Sequence, residues 1–310
     1  MRYTAVIRTL GTAGEKYQQL LDSLQAQTIA PQAILVYIAE GYPLPKETIG
    51  TERYIYVKKG MVAQRALPYD EVKTEWMLFL DDDVFLPPQA VETLYRQLQE
   101  KGADVISPDV FPNAQRSLLG ELMMTLSGRM RARRGDHKWG YKVMRTAGYS
   151  YNANPTQPTY WSQTNAGACF LCRKSDFKMI NFEEELWLDA VSYPLGEDQV
   201  MFYKMHLSGL KQLTSYNSGI VHLDAGNNLN PEKEHMLIFS DFRFKIIFWY
   251  KFIYKKDKCV IGKVCSIICV IYFLSFSFLA SFLKCNKGVL SVKVRAAKDA
   301  MNYICQENMK

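Results

Sequence analysis

The sequence predicts an α/β fold in which helices cover both faces of a mostly parallel sheet. Strand and helix signals alternate over the first hundred residues, as in parallel sheets joined by crossover helices. The run "AILVYIA" (33–39) is apolar throughout, as a strand covered on both faces requires. With 310 residues, 48% of them hydrophobic, the chain can bury a sizeable core.

Five strands and two helices are predicted in the first 110 residues. The predicted strands are "YTAVIR" (3–8), "AILVYIA" (33–39), "RYIYVK" (53–58), "WMLFL" (76–80) and "ADVISP" (103–108). The helices are indicated by apolar side chains at positions i, i+3, i+4 and i+7. These side chains are Tyr17, Leu20, Leu21 and Leu24 in the first helix, and Val91, Leu94, Tyr95 and Leu98 in the second.

The composition of the chain changes after the fifth strand. Residues 112–160 predict a long insertion, which is basic at "GRMRARRGDHK" (128–138). Its arginines favour either a solvated charged surface or contact with a phosphate-bearing acceptor or an anionic membrane. The remaining predicted elements are a strand at "AGACFLCRK" (166–174), a loop entering a helix at "YPLGEDQVMFYKMHLSGLK" (193–211), and a short strand in "GIVHLDAG" (219–226) that ends at His222.

Three adjacent carboxylates, Asp81, Asp82 and Asp83, follow the predicted strand 76–80. Ligands of such sheets bind at the carboxyl ends of the strands, so these side chains are expected over a cleft rather than in the core. Their mutual repulsion requires a cation, and clustered carboxylates are hard oxygen ligands that suit Mg²⁺ or Mn²⁺. The alternative is a solvated acidic turn.

Charge and cysteine content narrow the class of protein. The 38 Lys and Arg against 31 Asp and Glu give a net charge of +7, which favours anionic partners, but the sequence has no known nucleic-acid module. Seven Cys, an odd number, suit free thiols in a reducing compartment. Cys169 and Cys172 have CxxC spacing without the further ligands that zinc needs, which favours packing. The N-terminal apolar run is too short for a signal peptide, so the first 240 or so residues are expected in the cytosol.

Taken in order along residues 3–255, these motifs resemble the family-2 glycosyltransferases, which have the GT-A fold. The first strand and helix, with "SLQAQT" at the end of the helix, are similar to the family's opening. "AQRALP" (63–68) resembles its Arg-containing segment, and "MLFLDDDVFLPPQAVETL" resembles its Asp-x-Asp segment, with Asp81 and Asp83 at the outer positions. "GEDQVMFYKMHLSGLK" resembles its Glu-Asp helix, which a metal-binding His follows, here His222.

The resemblance implies a metal-dependent, inverting glycosyltransferase of the hexosyltransferase type. Such an enzyme would move a sugar from a nucleotide-diphosphate sugar, with a UDP-sugar as the first choice, to a glycan or lipid-linked glycan acceptor in bacterial cell-surface polysaccharide biosynthesis. The chain lacks the Gln-x-x-Arg-Trp motif of processive members, which favours the addition of one sugar per encounter.

The resemblance also implies a site with three parts. Mg²⁺ or Mn²⁺ would be held by Asp81, Asp83 and His222. Donor binding is assigned to Thr9, Glu40, Arg65, Asp81 and Asp82, where Glu40 is the nearest equivalent of an Asp that reads the base in many members. Asp198 is expected to be the general base, and Glu197 either contacts the acceptor or orients Asp198. The alternatives are helix N-terminal charge stabilisation for Glu197 and Asp198, and a structural strand-end histidine for His222.

Two other functions compete with sugar transfer. A sugar nucleotidyltransferase also uses a metal at the edge of a similar sheet, although "LGTAGEK" offers only Lys16 for the basic loop that it needs. A non-catalytic sugar-binding protein on a transferase fold is the third hypothesis. The intact set of Asp, Glu-Asp and His argues against it.

The C-terminal region is predicted to associate with a membrane. "VCSIICVIYFLSFSFLASFL" (264–283) is an uncharged run about as long as one span, and the aromatic, basic segment 244–258 before it suits an interface. The far flank is basic too, which a single span would not favour, so a re-entrant or surface-lying helix pair and a buried helical appendage are alternatives. The sequence thus predicts a catalytic domain, 1–243, and a membrane-associated region, 244–310, at the cytoplasmic face of the cell membrane.

Overall fold

The computed structural model describes residues 1–110, 117–135, 137–223 and 231–309, and it has the α/β architecture that the sequence predicts. The described strands are β1 (Tyr3–Thr9), β2 (Ala33–Ala39), β3 (Glu52–Val57), β4 (Trp76–Asp81), β5 (Val84–Phe85), β6 (Val105–Pro108), β7 (Met130–Arg133), β8 (Tyr141–Val143), β9 (Tyr149–Asn152), β10 (Thr159–Ser162), β11 (Cys169–Arg173), β12 (Gln212–Ser215) and β13 (Val221–His222). The described α-helices are α1 (Glu15–Gln25), α2 (Ala90–Lys101), α3 (Leu118–Leu126), α4 (Lys174–Met179), α5 (Glu197–Leu207), α6 (Pro231–Phe248), α7 (Val260–Leu283) and α8 (Lys287–Asn308). A 3₁₀-helix (Phe182–Ala190) precedes α5, and a π-helix (Trp249–Tyr254) follows α6.

The central sheet has eight strands in the order β10-β12-β6-β11-β4-β1-β2-β3. Strands β1 to β4 are parallel neighbours, and β6 and β12 are parallel to each other. Strand β11 runs antiparallel to both β4 and β6, and β10 runs antiparallel to β12. The sheet is therefore mostly parallel, as predicted, and β11 interrupts the parallel order beside β4.

Helices cover both faces of this sheet. On one face α1 buries Tyr17, Leu20, Leu21 and Leu24, all at most 1% exposed, so the predicted apolar stripe is confirmed. On the other face lie the 3₁₀-helix, α5 and the C-terminal helices, which share one core with the aromatic side chains of the sheet. Full burial of one such side chain contributes about 1.5–3 kcal/mol, so both helical layers hold the sheet firmly.

Strand β4 brings the predicted acidic residues to the edge of the sheet. Its residues 76–80 are all buried, and Asp81 is half-buried. The parallel register pairs Arg8 of β1 with Asp81. A short ladder between β5 and β13 pairs Val84 with His222, which brings a distant histidine back to the acidic turn.

The predicted insertion contains regular structure. After α3, strands β7, β9 and β8 form a small sheet in that order, and β10 returns the chain to the edge of the main sheet. Residues 112–116 and 136 of the predicted insertion, and 224–226 of the predicted last strand, lie outside the described residues.

The C-terminal helices pack on the second face of the sheet. The predicted division at 243/244 falls inside α6, where Phe242 and Phe244 are both buried, and the division into two domains stays a prediction. Helix α7 contains the predicted apolar run 264–283. It is the one helix in the described part of the chain that is long and apolar enough to cross a membrane, with a mean hydropathy of 2.2.

Candidate active site

A cavity of about 610 Å³ opens at the carboxyl ends of β1 and β4. Its volume is within the range of small-molecule sites. The charged side chains that line it are Arg8, Lys16, Lys59, Asp81, Asp82, Asp83 and Asp189, and the imidazole of His222 lines it as well. Cationic and anionic groups face the same space, which suits a ligand that carries phosphates together with a metal cation.

The three adjacent aspartates point to different partners. Thr9 Oγ1 donates a hydrogen bond of 2.5 Å to Asp82 Oδ2, at the end of β1. His222 Nε2 lies 2.9 Å from Asp83 Oδ1. Asp81 turns away from both, toward two arginines. Each carboxylate thus has its own partner, which reduces the repulsion within the turn.

Two arginines connect Asp81 to Glu197 beneath the cavity. Arg8 binds Asp81 with two bonds, Nε to Oδ1 at 2.6 Å and Nη2 to Oδ2 at 3.2 Å, and its Nη1 lies 2.9 Å from Glu197 Oε1. Arg65 is 2% exposed, and its Nη1 lies 2.7 Å from the same oxygen of Glu197. Its Nη2 lies 3.2 Å from Asp81 Oδ1. Two cations and two carboxylates therefore form a closed network, the arrangement in which buried charges are tolerated.

The surroundings shift the pKa values of two carboxyl groups in opposite directions. Burial by itself raises the pKa of Asp81, but the guanidinium groups of Arg8 and Arg65 bring it below its ordinary value. Burial, with the charges of Asp81 and Asp83, raises the pKa of Asp82 to about 6. A divalent cation bound at this turn would favour the ionised form of Asp82.

Helix α5 begins with two carboxylates in different environments. The side chain of Glu197 is fully buried, whereas that of Asp198 is 38% exposed. Arg65 Nη1 lies 3.3 Å from Asp198 Oδ1, so one guanidinium joins the exposed carboxylate to the buried one. Gly167 allows this approach, because a Cβ there would collide with the Asp198 carboxylate. Asp198 does not line the cavity. It is connected to Asp81, which does line the cavity, through the side chain of Arg65.

The buried Glu197 predicts a pH-dependent stability. Burial raises its pKa from 4.5 to about 7, although Arg65 and Arg8 oppose the shift. The folded state therefore binds this proton more tightly, and the resulting stability is complete below about pH 4.5 and lost as the pH rises through about 7. We expect the free energy of unfolding to fall when the pH is raised from about 5 to about 8. This fall should be larger in the native chain than in Glu197→Gln, by roughly 2–3 kcal/mol. Urea unfolding at both pH values measures this difference, and parallel pH profiles would contradict it.

The predicted donor and acceptor residues occupy different positions. Thr9 lines the cavity. Glu40 is exposed beyond the end of β2 and outside the cavity lining, so the geometry gives no support to a contact with the base. The guanidinium of Arg65 is engaged by carboxylates beneath the cavity, and not directed at a donor. The burial of Glu197 favours its other predicted role, the orientation of Asp198 through Arg65, over contact with the acceptor, and both roles stay predictions.

Two charged residues of the site, Arg8 and Asp189, are missing from the predicted site residues. Arg8 is the penultimate residue of an apolar strand, and a charge in that position indicates a partner at the edge of the sheet, here Asp81. Asp189, at the end of the 3₁₀-helix, accepts hydrogen bonds from the N–H groups of Val62, at 3.1 and 3.2 Å, and Ala63, at 2.9 Å. No local pattern predicts that contact, because it joins segments far apart in the chain.

The cavity contains donors for one divalent cation. Asp83 and His222 both line it and face each other, and a carboxylate oxygen with an imidazole nitrogen suits Mn²⁺ or Mg²⁺. The third predicted ligand, Asp81, has both oxygens engaged by Arg8. Among the described residues no three His, Cys, Asp or Glu side chains form a complete metal site. The remaining ligands would have to come from a substrate, and a diphosphate offers them.

Comparisons with known proteins bear on the family and on the fold. The family model described as Glycosyl transferase family 2 matches residues 53–178, which contain Arg65 and the three aspartates. The crystal structure of S. aureus TarS 1–349 in complex with UDP-GlcNAc is 12% identical, with a TM-score of 0.51, over 97% of this chain and 80% of that one. A second crystal structure of S. aureus TarS, also 12% identical, has a TM-score of 0.47 over 90% of this chain and 44% of that one. No curated protein sequence matches the chain. At this identity the first likeness shows the fold alone, and that fold is GT-A-like.

Proposed function

We propose that the chain is a member of glycosyl transferase family 2, whose model matches residues 53–178. We propose further that it moves a single sugar from a nucleotide-diphosphate sugar to a glycan or lipid-linked glycan. The observation that carries the proposal is the cavity that Asp83 and His222 share with the cationic side chains of Lys16 and Lys59. We propose a hexose carried by UDP as the donor. The TarS 1–349 structure, which is similar in fold, is a complex with UDP-GlcNAc.

The donor side of the reaction is assigned to the cavity. Asp83 and His222 would hold Mg²⁺ or Mn²⁺, which when bound neutralises charge on the diphosphate leaving group. Lys16 and Lys59 add positive charge at the same cavity. Thr9, fixed by its hydrogen bond to Asp82, lies at the end of β1, where it would contact the nucleoside.

The acceptor side is assigned to the start of α5. Asp198 would take the proton from the acceptor hydroxyl as that oxygen attacks C1 of the sugar. Direct attack from the face opposite the diphosphate inverts the anomeric centre. Arg65 holds Asp198 at 3.3 Å, and Glu197 holds Arg65 from beneath at 2.7 Å, so the base is positioned by residues that do not touch the substrate.

We further propose that the enzyme works at the cytoplasmic face of the cell membrane. The apolar helix α7, with a mean hydropathy of 2.2, supports this location. Basic residues precede and follow that helix, among them Lys256, Lys258, Lys284 and Lys287. Such residues are attracted to the anionic headgroups of a cytoplasmic leaflet.

Metal and donor binding provide the direct test of this function. A panel of nucleotide sugars with Mn²⁺ should contain one that raises the melting temperature, since a ligand at 100 times its Kd adds about 2.7 kcal/mol to stability. In Asp83→Ala we expect this shift to disappear and transfer to fall by about 100-fold or more, with the fold intact, because the side chain lies at the cavity surface. The matched control is the exposed Asp70→Ala, which should behave as the native chain. Full transfer by enzyme stripped with EDTA would refute the metal assignment.

A further inference from the structure

Helix α3 carries large apolar side chains that are exposed, and its one carboxylate, Glu121, lies 2.6 Å from Arg134. None of its residues is buried, and Leu118 and Leu122 are 78% and 53% exposed. Leu119, Met123 and Leu126 are exposed as well. Ser117 caps the helix by accepting a hydrogen bond from the N–H of Gly120, so the helix is locally stabilised. An exposed cluster of large apolar side chains on a capped helix indicates a partner that covers it.

Helix α7 has one face on the protein and one face outward. Its buried residues, Ser266, Val270, Phe273, Ser277 and Ser281, form a single stripe at helical spacing. Its other faces expose large apolar side chains, among them Ile261, Ile268, Ile271, Leu279 and Phe282. The helix is therefore attached to the protein along its length and is apolar on the side away from it.

The attachment of α7 is incompatible with a membrane span. Lys293 of α8 donates hydrogen bonds of 2.9 Å to the carbonyl oxygen of Ser277 and to Ser281 Oγ. Trp249 Nε1 donates one of 2.9 Å to the carbonyl oxygen of Ser266. If α7 crossed a bilayer, α8 would have to enter with it, together with the charged Lys293, Arg295, Lys298 and Asp299. The length of α7, about 36 Å, would permit a membrane span, but its packing against α8 and Trp249 argues against one.

The two apolar helices are in contact and have basic flanks. Tyr272 of α7 donates a hydrogen bond to the carbonyl oxygen of Leu126, the last residue of α3. Arg131 and Arg134 follow α3 and are exposed, and Arg134 is paired with Glu121 of α3. At the two ends of α7 the exposed side chains include Lys255, Lys256, Lys258, Lys284 and Lys287. A helix lying flat at an interface would bring both of these basic ends to the same headgroup layer, whereas a span would separate them.

We propose that α3 and the outward face of α7 form one monotopic platform that docks on the surface of an anionic lipid bilayer. Both helices would lie in the headgroup region, and α7 would not cross the membrane. The basic flanks supply charge complementarity to anionic lipids, and the apolar side chains supply burial. This inference refines the membrane association in the proposed function, but it does not depend on sugar transfer.

Vesicle binding by the full chain tests the role of α3. We expect the protein to sediment with vesicles of phosphatidylcholine and phosphatidylglycerol, and less with phosphatidylcholine alone. Leu118→Glu and Leu122→Glu should each lower the partition coefficient by about tenfold or more, because each removes the burial of one leucine. Leu44→Glu is the matched control, since Leu44 is 50% exposed and belongs to neither helix. Donor-induced thermal shifts should be unchanged in all three variants, which separates this test from the proposed function.

Two outcomes of the vesicle experiment would overturn the platform. The first is equal binding by the α3 variants and by the Leu44→Glu control. The second is a native chain that self-associates through this surface, with loss of the oligomer in the α3 variants and no vesicle binding, because a second copy would then be the partner.

The native cysteines distinguish docking from a span. Cys259 precedes α7 and Cys285 follows it, and both are exposed. Two variants are needed, one that keeps Cys259 as its only exposed cysteine and one that keeps Cys285. A membrane-impermeant maleimide, added outside sealed vesicles, should label the vesicle-bound protein in both variants. Protection of one of them until the vesicles are lysed would mean that α7 spans the bilayer, and the platform would be wrong.

Discussion

Asp198→Asn is expected to lower the rate of sugar transfer by about 10²–10⁴-fold, the usual effect of removing a general base. The substitution keeps the size of the side chain and removes its ability to accept the proton of the acceptor hydroxyl. The Asp198 side chain is 38% exposed and held 3.3 Å from Arg65, so the fold should tolerate an amide at this position. The donor-induced thermal shift should change little, because Asp198 is outside the cavity lining.

Glu197→Gln separates the base from the residue that positions it. Glu197 is fully buried and contacts Arg8 and Arg65. Without its charge Arg65 would be held less firmly, so Glu197→Gln should reduce the rate of transfer, but by less than Asp198→Asn. The pH profile of transfer should shift in Glu197→Gln, and a merely structural role would leave that profile unchanged. If Asp198→Asn transfers sugar at nearly the native rate while Glu197→Gln is inactive, the two roles are exchanged. If both variants remain active, the base lies outside α5.

Much of the fold follows from local patterns in the sequence. The apolar stripe of α1 and the continuous apolar run of β4 are both visible in the sequence, and the apolar side chains of each are buried in the structure. Parallel strands end at a common edge, so the positions of Thr9 and Asp81 at one opening follow from element order alone. These predictions depend only on residues that are close to one another in the sequence, and for that reason they agree with the structure.

The directions of the site side chains depend on contacts between distant segments. The arginines that engage Asp81 come from β1 and from the loop after β3, and the register of β1 against β4 decides that Arg8 meets it. No single motif contains that information. Glu40 follows the end of β2, but it does not line the cavity, which is formed by the ends of β1 and β4 and by residues 59–64 and 189–194. The exposure of α3 is also invisible in the sequence, since an apolar helix is normally expected to be buried.

Arg65→Met should destabilise the protein by about 3–5 kcal/mol, the effect of breaking a buried ion pair from one side. Arg65 is 2% exposed, and it lies 2.7 Å from Glu197 and 3.2 Å from Asp81. It also donates a hydrogen bond of 3.0 Å to the carbonyl oxygen of Gly167. The methionine would fill the space, but the carboxylates of Asp81 and Glu197 would then share the single guanidinium of Arg8. Urea unfolding measures the loss of stability. The control is Arg96→Met: Arg96 lies 3.5 Å from its exposed partner Glu100, and the loss of this surface pair should cost less than about 1 kcal/mol.

The double variant Arg65→Met/Glu197→Gln shows whether this loss comes from the buried charge. With Glu197 neutralised, Arg65→Met removes one fewer charge–charge contact, so we expect the two substitutions to couple by about 1–3 kcal/mol. The coupling should be largest near pH 8, where Glu197 is ionised, and smaller near pH 5, because burial raises its pKa to about 7 and the group takes up a proton there. A loss on Arg65→Met that is the same at both pH values and additive with Glu197→Gln would mean that Arg65 stabilises the fold through packing, and the charge network would then have no part in positioning Asp198.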